Sequence, residues 1–281
     1  MLKSSLNVCF MGGDKRQKYA AEELCQYAKV TTTGECFIGG KDVGYFESPI
    51  KALHGARVIV LPLPAVKSET VMEFAKVVEH AQKSGAMILG GMFSTYMKDT
   101  MDAQSVGYFD YYDDECFTIR NAYLTAEGAL SIAMNRLEKD MKSTSFAIFG
   151  YGRIGSALGD LLLACKGNTT VYARRDEALT TAAERGLNTK YISCDGALDY
   201  DVIFNTIPAR VITNEQILEL GESTLLVELA SAPGGFDAEI AEQSGAKVMK
   251  AAGLPGKYAP RSAGKALADT LLKILKREAL L

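Results

Sequence analysis

The feature that most constrains this chain lies in its middle. Ser145 to Phe149 is a mostly apolar run that leads directly into a turn with glycines at 150, 152 and 155. Five such residues predict a buried strand. Three glycines at this spacing let the backbone turn tightly, admit a pyrophosphate close to the main chain, and pack the next helix on the strand. Ile154, Leu158, Leu161, Leu162 and Cys165 then give that helix an apolar face, and a second strand, Thr169 to Ala173, follows Gly167. The whole unit predicts a dinucleotide site built on Gly150, Gly152, Arg153, Ile154 and Gly155. The tip of its second strand carries Arg174 and Arg175 where an NAD site usually has an acid. A guanidinium suits a ribose 2′-phosphate, so the expected cofactor is NADP. For Arg175 a solvated surface cation is an equal alternative.

Composition narrows the partners. A chain of 281 residues is long enough for two domains with separate cores. Its 31 basic and 34 acidic residues are interspersed without a basic block, which argues against nucleic acid. No stretch approaches the ~18 apolar residues of a membrane span, and the first residues lack a leader-type apolar core, so a cytoplasmic protein is expected. Cys9, Cys25, Cys36, Cys116, Cys165 and Cys194 form no paired motif and do not cluster with histidine. Neither a metal site nor a disulfide framework is expected. His54 and His80, the only histidines, fall outside the loops that should face a cofactor, which argues against a histidine base.

Periodicity organises the rest. The first half alternates strands (Leu6–Met11, Glu35–Ile38, Arg57–Leu61, Ala86–Leu89) with helices (Lys15–Lys29, Ser68–Lys83). Tyr19, Ala20, Leu24 and Tyr27 are expected on the buried side of the first helix. A helical segment from Asp113, a candidate N-cap, to Met141 has an apolar stripe of Leu130, Ala133, Met134, Leu137 and Met141. After the glycine turn come strands near Tyr191 and over Val202–Asn205, Thr224–Leu229 and Lys247–Lys250, then an amphipathic helix from Ser262 to about Arg277. The expected fold class is α/β: two open parallel-sheet Rossmann-like domains joined by a long helix, with a C-terminal helix crossing back to the first domain. The expected boundaries are 1–124 for a flavodoxin-like substrate domain, 125–142 for the bridging helix, 143–261 for the NADP domain and 262–281 for the terminal helix.

Ligands of such sheets bind at the carboxyl ends of strands. Asn205, Thr206 and Pro208 end a strand beside the glycine turn and are expected to line the cofactor, although Pro208 could equally just stop the strand. The Gly253–Gly264 stretch, rich in glycine and proline, reads as a stiff wall beside the nicotinamide, with Ser262 capping the last helix. On the first domain, Gly12-Gly13-Asp14-Lys15-Arg16-Gln17 lacks the third glycine of a dinucleotide turn. It suits a small carboxylate instead, with Arg16 favoured over Lys15; Ser94 and Thr95 open a second such helix. A small anionic substrate held between the domains is expected.

Together these segments resemble the family of the dipicolinate synthase A subunit. The similarity rests on Gly12 to Gln17, Thr125 to Gly128, Gly150 to Gly155, Asn205 to Pro208, Leu229 to Asp237, Gly253 to Gly256 and Ala259 to Gly264. It implies oxidation of dihydrodipicolinate, or of its hydroxylated tetrahydro precursor, to dipicolinate with NADP. It also implies sporulation, the cytoplasm of the mother cell, and the flavoprotein-like B subunit of dipicolinate synthase as partner; a homo-oligomer is left open. Aromatisation makes the reaction strongly downhill, so positioning should matter more than a strong base. Glu127, Asp14 and solvent are the candidate proton acceptors. Glu127 could equally be a favourable acid in a helix first turn. Two alternatives remain at this level: a non-catalytic NADP-binding partner of the B subunit, and a reductase similar to shikimate dehydrogenase, whose usual Lys/Asp pair is not evident.

Overall fold

The structure, a computed structural model, describes residues 5–38, 40–193 and 196–281. The chain divides into two compact units, Met1–Asn121 with Pro255–Leu281, and Ala122–Leu254. The first begins β1 (Asn7–Met11), α1 (Lys15–Leu24), β2 (Lys29–Thr33), β3 (Gly44–Tyr45), α2 (Pro49–Leu53), β4 (Val58–Val60) and α3 (Phe74–Ser84). It continues with β5 (Met87–Gly90), α4 (Thr95–Ala103), β6 (Tyr108–Asp110) and the start of α5 (Glu115–Met134). Its parallel sheet has the order β3-β2-β1-β4-β5-β6. Without the two-residue β3, the remaining five strands follow the flavodoxin order.

The second unit contains β7 (Ser145–Phe149), α6 (Arg153–Ala164), β8 (Asn168–Ala173), α7 (Asp176–Glu184), β9 (Asn188–Tyr191) and β10 (Val202–Asn205). After these come α8 (Asn214–Leu218), β11 (Leu225–Glu228), α9 (Ala238–Gln243) and β12 (Lys247–Lys250). Its sheet, β12-β11-β10-β7-β8-β9, is also fully parallel and follows the Rossmann order. Each sheet is covered on both faces, as buried parallel strands require. Val8, Phe10 and Val58 pack under α1 in the first unit, and Cys9, Met11 and Ile59 pack under α3. In the second, Phe146, Ile148 and Phe204 lie on one face and Ala147, Phe149 and Ile203 on the other.

The chain returns to the first unit through α10 (Leu254–Tyr258) and α11 (Pro260–Arg277). Leu267, Leu271 and Leu275 of α11 join the core beneath α1. The two helices approach closely because Gly264 has no side chain: a Cβ there would collide with Tyr19 and the carbonyl of Arg16. The Arg261 guanidinium lies 4.9 Å from the Tyr19 ring centroid and adds a cation–π contact at the same crossing.

Several expectations are corrected. Glu35–Phe37 is a turn of 3₁₀ helix rather than a strand; the neighbouring strand is β2, where three threonines after Val30 are buried. The first helix stops at Leu24, and its buried face is Arg16, Gln17, Ala20, Ala21 and Leu24, while Tyr27 lies outside it and is exposed. The segment from Ala65 to Thr70 is 3₁₀, so α3 begins only at Phe74. The helix read as 113–141 is confined to α5; Met134 is exposed and Met141 belongs to a separate 3₁₀ turn. The Gly253–Gly264 stretch is helical, and α11 starts at Pro260, so Ser262 sits inside its first turn rather than capping it. Proline at the first helical position loses no hydrogen bond, which lets the helix begin earlier than a serine cap would imply. Cys194 lies outside the described residues.

Asp114, not Asp113, starts α5. Its carboxylate accepts from the Phe117 N–H at 2.9 Å and from Lys273 Nζ of α11 at 2.6 Å. The Lys273 hydrogen bond is the main cause that lowers the Asp114 pKa. Asp114→Ala is expected to cost about 1–2 kcal/mol, mostly through the lost cap, since Lys273 is solvent-screened. Because the folded-state pKa is depressed, this contribution is complete above the unfolded carboxyl range and disappears as pH falls through the folded value. Denaturation of wild type and variant should therefore converge in acid.

Candidate functional site

In the second unit the backbone forms the glycine turn at the carboxyl end of β7. Gly150 has φ +99°, and a Cβ there would strike Thr206 and Ile207. Gly155 lies so close to the Gly150 carbonyl oxygen that a side chain cannot fit. Gly152 differs. Its φ of −90° suits any residue, and a Cβ would meet nothing within 4 Å. The open side of Gly152 therefore faces the start of α6, whose first turn has no side-chain cap and no acidic residue. Bare N–H groups at the positive end of a 12-residue helix, with room for a ligand, fit a pyrophosphate. Arg153 is exposed at the first helical position and Ile154 is half-buried.

Arg174 and Arg175 follow β8, both exposed, and neither forms an ion pair among the described residues. Arg175 is also the residue that precedes α7. The nearest acid in sequence, Asp176, accepts from the Tyr191 hydroxyl at 2.6 Å. One of its oxygens is engaged there, and neither arginine pairs with it, which leaves the two guanidinium groups available to a phosphate. These features make the β7–α6 turn and the β8 tip chemically suited to a phosphorylated dinucleotide.

The end of β10 is built differently from what its sequence suggests. Asn205 is fully buried, and its Nδ2 donates to Glu228 Oε1 at 2.7 Å and to the Ile207 carbonyl at 2.9 Å. Glu228, at the end of β11, also accepts from the Ala230 N–H at 2.9 Å and the Gly235 N–H at 2.7 Å. One carboxylate thereby ties together the ends of two strands and the loop after β11. Gly235 is required because a Cβ would overlap the Asn205 amide. Thr206 donates from Oγ1 to the Phe149 carbonyl at 2.9 Å and so braces the glycine turn; Pro208 is exposed. Glu228 escaped the sequence reading, although an acid closing the apolar run Leu225-Leu226-Val227 was a usable signal.

In the first unit the equivalent turn, Gly12-Gly13-Asp14, is filled. Asp14 caps α1 by accepting from the Arg16 N–H at 2.9 Å, and it pairs with the Arg16 guanidinium at 3.0 Å. Arg16 is 2% exposed and also donates to Asn121 Oδ1 at 3.1 Å. The Asp14 carboxylate abuts Gly256 of α10, where even a Cβ would clash. Gln17, in the place of the third glycine, is buried and donates from Nε2 to the Tyr111 hydroxyl at 3.3 Å; that hydroxyl donates to the Leu61 carbonyl at 3.0 Å. A carboxylate and an amide thus stand where the second unit leaves space, and a pyrophosphate is excluded by charge and bulk. Arg16 is not a free surface cation but uses three of its five N–H groups on Asp14 and Asn121.

The remaining candidates are more dispersed. Ser94 caps α4 by accepting from the Met97 N–H at 3.3 Å, with Thr95 exposed at the helix start. Ser262 is exposed in the first turn of α11. Glu127 is exposed well inside α5 rather than in its first turn, so it gains nothing from the helix dipole there. Burial pushes the Cys9 thiol up to about 12, and burial together with the Asp14 charge pushes Cys36 up to about 12. Neither is a ready nucleophile. Among the described residues no three His, Cys, Asp or Glu side chains group as metal ligands, and no helix is long and apolar enough to cross a membrane.

Residues 7–112 match the N-terminal domain family of the dipicolinate synthase A subunit. Over 290 aligned positions the chain is 28% identical to the dipicolinate synthase A subunit of Bacillus subtilis (strain 168), covering 97% of this chain and 96% of that protein. The crystal structure of the dipicolinate synthase A subunit from Bacillus halodurans superimposes with a TM-score of 0.82 at 27% identity, covering 97% of this chain and 98% of that one. A transhydrogenase from Sinorhizobium meliloti shares the fold alone, with a TM-score of 0.69 at 14% identity over 96% of this chain and 94% of that one.

Proposed function

We propose, with the nearly full-length similarity to the dipicolinate synthase A subunit as the premise, that this chain is an NADP-dependent oxidoreductase subunit that converts dihydrodipicolinate, or its hydroxylated tetrahydro precursor, to dipicolinate. The observation that carries this reading is the uncapped α6 N-terminus beside an open Gly152, with unpaired Arg174 at the tip of β8. The first-turn N–H groups of α6 orient the pyrophosphate, Arg174 and Arg175 take the 2′-phosphate, and the Asn205–Ile207 turn is held in register by Glu228 for the nicotinamide end. When bound, NADP⁺ supplies a hydride acceptor. The substrate's carboxylates are received in the first unit at the α4 start, by Ser94 and Thr95, and at the α11 start, by Ser262, while Arg16, sequestered by Asp14 and Asn121, braces the β1–α1 turn. The hydroxylated tetrahydro precursor first loses water to give dihydrodipicolinate; that ring then gives up a hydride to the bound acceptor and a proton to solvent and becomes aromatic. Asp14 is a poor acceptor because it already holds Arg16, and Glu127 lies on an exposed helix surface.

That same lack of a committed base supports a second reading, a non-catalytic NADP-binding partner that holds the flavoprotein-like B subunit in an active form. In either case the setting is the mother-cell cytoplasm of a sporulating bacterium. NADPH formation from the tetrahydrodipicolinate precursor, measured with this chain alone, the B subunit alone and both together, separates the two. Turnover by this chain alone supports the dehydrogenase; turnover only with the B subunit, unaffected by Gly152→Val, supports the partner.

Arg174→Asp is expected to weaken NADP⁺ binding by about tenfold to a hundredfold, the value of one charge-assisted hydrogen bond, with NAD⁺ binding less affected. Calorimetric titration with both dinucleotides checks it. Equal affinity of the unaltered protein for the two would remove Arg174 from the cofactor site.

A further inference from the structure

The tip of β8 carries two opposed kinds of receptor in succession. Arg174 and Arg175 suit a phosphate, and the next two residues, Asp176 and Glu177, put two acids in the first turn of α7. Carboxylates are favourable there toward the helix dipole. Toward a ribose they act against the arginines: a free carboxylate at this tip accepts from a 2′-hydroxyl and repels a 2′-phosphate. The placement of the Asp176 side chain therefore bears directly on which dinucleotide binds.

That placement is set by Tyr191. Tyr191 ends β9 and stands opposite Ala173 in the parallel pairing of β8 with β9. The Ile192 N–H donates to the Ala173 carbonyl at 3.1 Å and fastens the strand end. From there the Tyr191 hydroxyl donates to Asp176 Oδ1 at 2.6 Å, a short charge-assisted hydrogen bond. The bond to Asp176, ahead of the Asp176 charge, raises the Tyr191 pKa, so the hydroxyl keeps the proton it donates. The direction of the pull follows from the sheet. β8 lies between β7 and β9, the glycine turn follows β7, and Tyr191 is on the other side. A dinucleotide seated on the glycine turn meets the β8 tip from the β7 side.

Taking NADP as the cofactor, as proposed for this tip, we propose that Tyr191 is a specificity-determining positioning residue: it draws the Asp176 carboxylate to the β9 flank and leaves the arginines to meet the ribose. Without the hydroxyl, Asp176 is free to turn back, to compete with the 2′-phosphate for the guanidinium groups, and to offer an acceptor to the 2′-hydroxyl of NAD. Tyr191 is 47% exposed, so the loss of its hydroxyl leaves the fold intact.

The test is a double-mutant cycle read by calorimetric titration of the full chain with NADP⁺ and NAD⁺. Tyr191→Phe is expected to lower the preference for NADP⁺ over NAD⁺ about fivefold, the worth of one solvent-screened charge interaction. Asp176→Asn is expected to keep or raise the preference. Adding Tyr191→Phe to Asp176→Asn should then change it by less than about twofold, because no charge is left to release. A Tyr191 that only supports the local structure would weaken both dinucleotides alike, and would do so beside Asp176→Asn as well. Either of those results, or an unchanged preference in Tyr191→Phe, overturns the proposal. Equal affinity of the unaltered protein for the two dinucleotides would instead remove the NADP reading itself, and the proposal with it.

Discussion

Gly152→Val is expected to weaken NADP⁺ binding by at least about a hundredfold while costing only about 1 kcal/mol of stability. The contrast follows from geometry. At φ −90° and ψ −160° a branched residue is tolerated, and its side chain would point into space that no protein atom occupies within 4 Å. The modest stability loss reflects the poorer N-cap, whereas the ligand loses the close approach to the main chain that a pyrophosphate needs. Gly155→Val is the control with the opposite signature: its Cβ would collide with the Gly150 carbonyl oxygen, so the protein itself should be destabilised by about 3 kcal/mol or more. Chemical denaturation and calorimetric titration of both variants separate the effects. A folded Gly152→Val protein that binds NADP⁺ normally would mean that the turn is not the dinucleotide site.

Glu228→Leu should cost about 3 kcal/mol of stability, because it strips the acceptor from the Asn205 amide and from the Ala230 and Gly235 N–H groups at once. Glu228→Gln keeps one carbonyl oxygen and should cost about half as much. The second effect is on the ligand. Freed from Glu228, the Asn205–Ile207 turn and the loop after β11 lose their register, and NADP⁺ affinity is expected to fall about tenfold through the displaced turn. Urea denaturation gives the first quantity and cofactor titration under folding conditions the second. If Glu228→Leu unfolds at the wild-type urea concentration, the carboxylate is not the tie between these strand ends.

Sequence alone determined what depends on neighbours along the chain. The glycine spacing at 150, 152 and 155, the apolar strand before it and the helix after it are local patterns, and the structure forms them at those residues because turn geometry and helix periodicity act over a few positions. The missing third glycine at Gln17 likewise showed that the first turn differs from the second. Local pattern failed where competing chemistry was not local. Lys29–Thr33 became a strand and Glu35–Phe37 did not, because pairing with β1 rather than propensity selects the residues that join the sheet. Pro260, not Ser262, opens the last helix.

Only the tertiary structure decided which polar groups are free. Arg16 reads as a surface cation in a first turn, yet its partner Asn121 is 105 residues away, and Gly256, which leaves room for the Asp14 carboxylate, arrives from the far end of the chain. Glu228 and Asn205 are 23 residues apart and meet because β10 and β11 are adjacent and in register, ending opposite each other. A local motif predicts where backbone N–H groups will be exposed. Whether a side-chain charge is available to a ligand depends on which distant groups folding brings within about 3 Å of it, since the partner within hydrogen-bonding distance, and not the position in sequence, sets the energy of the charge.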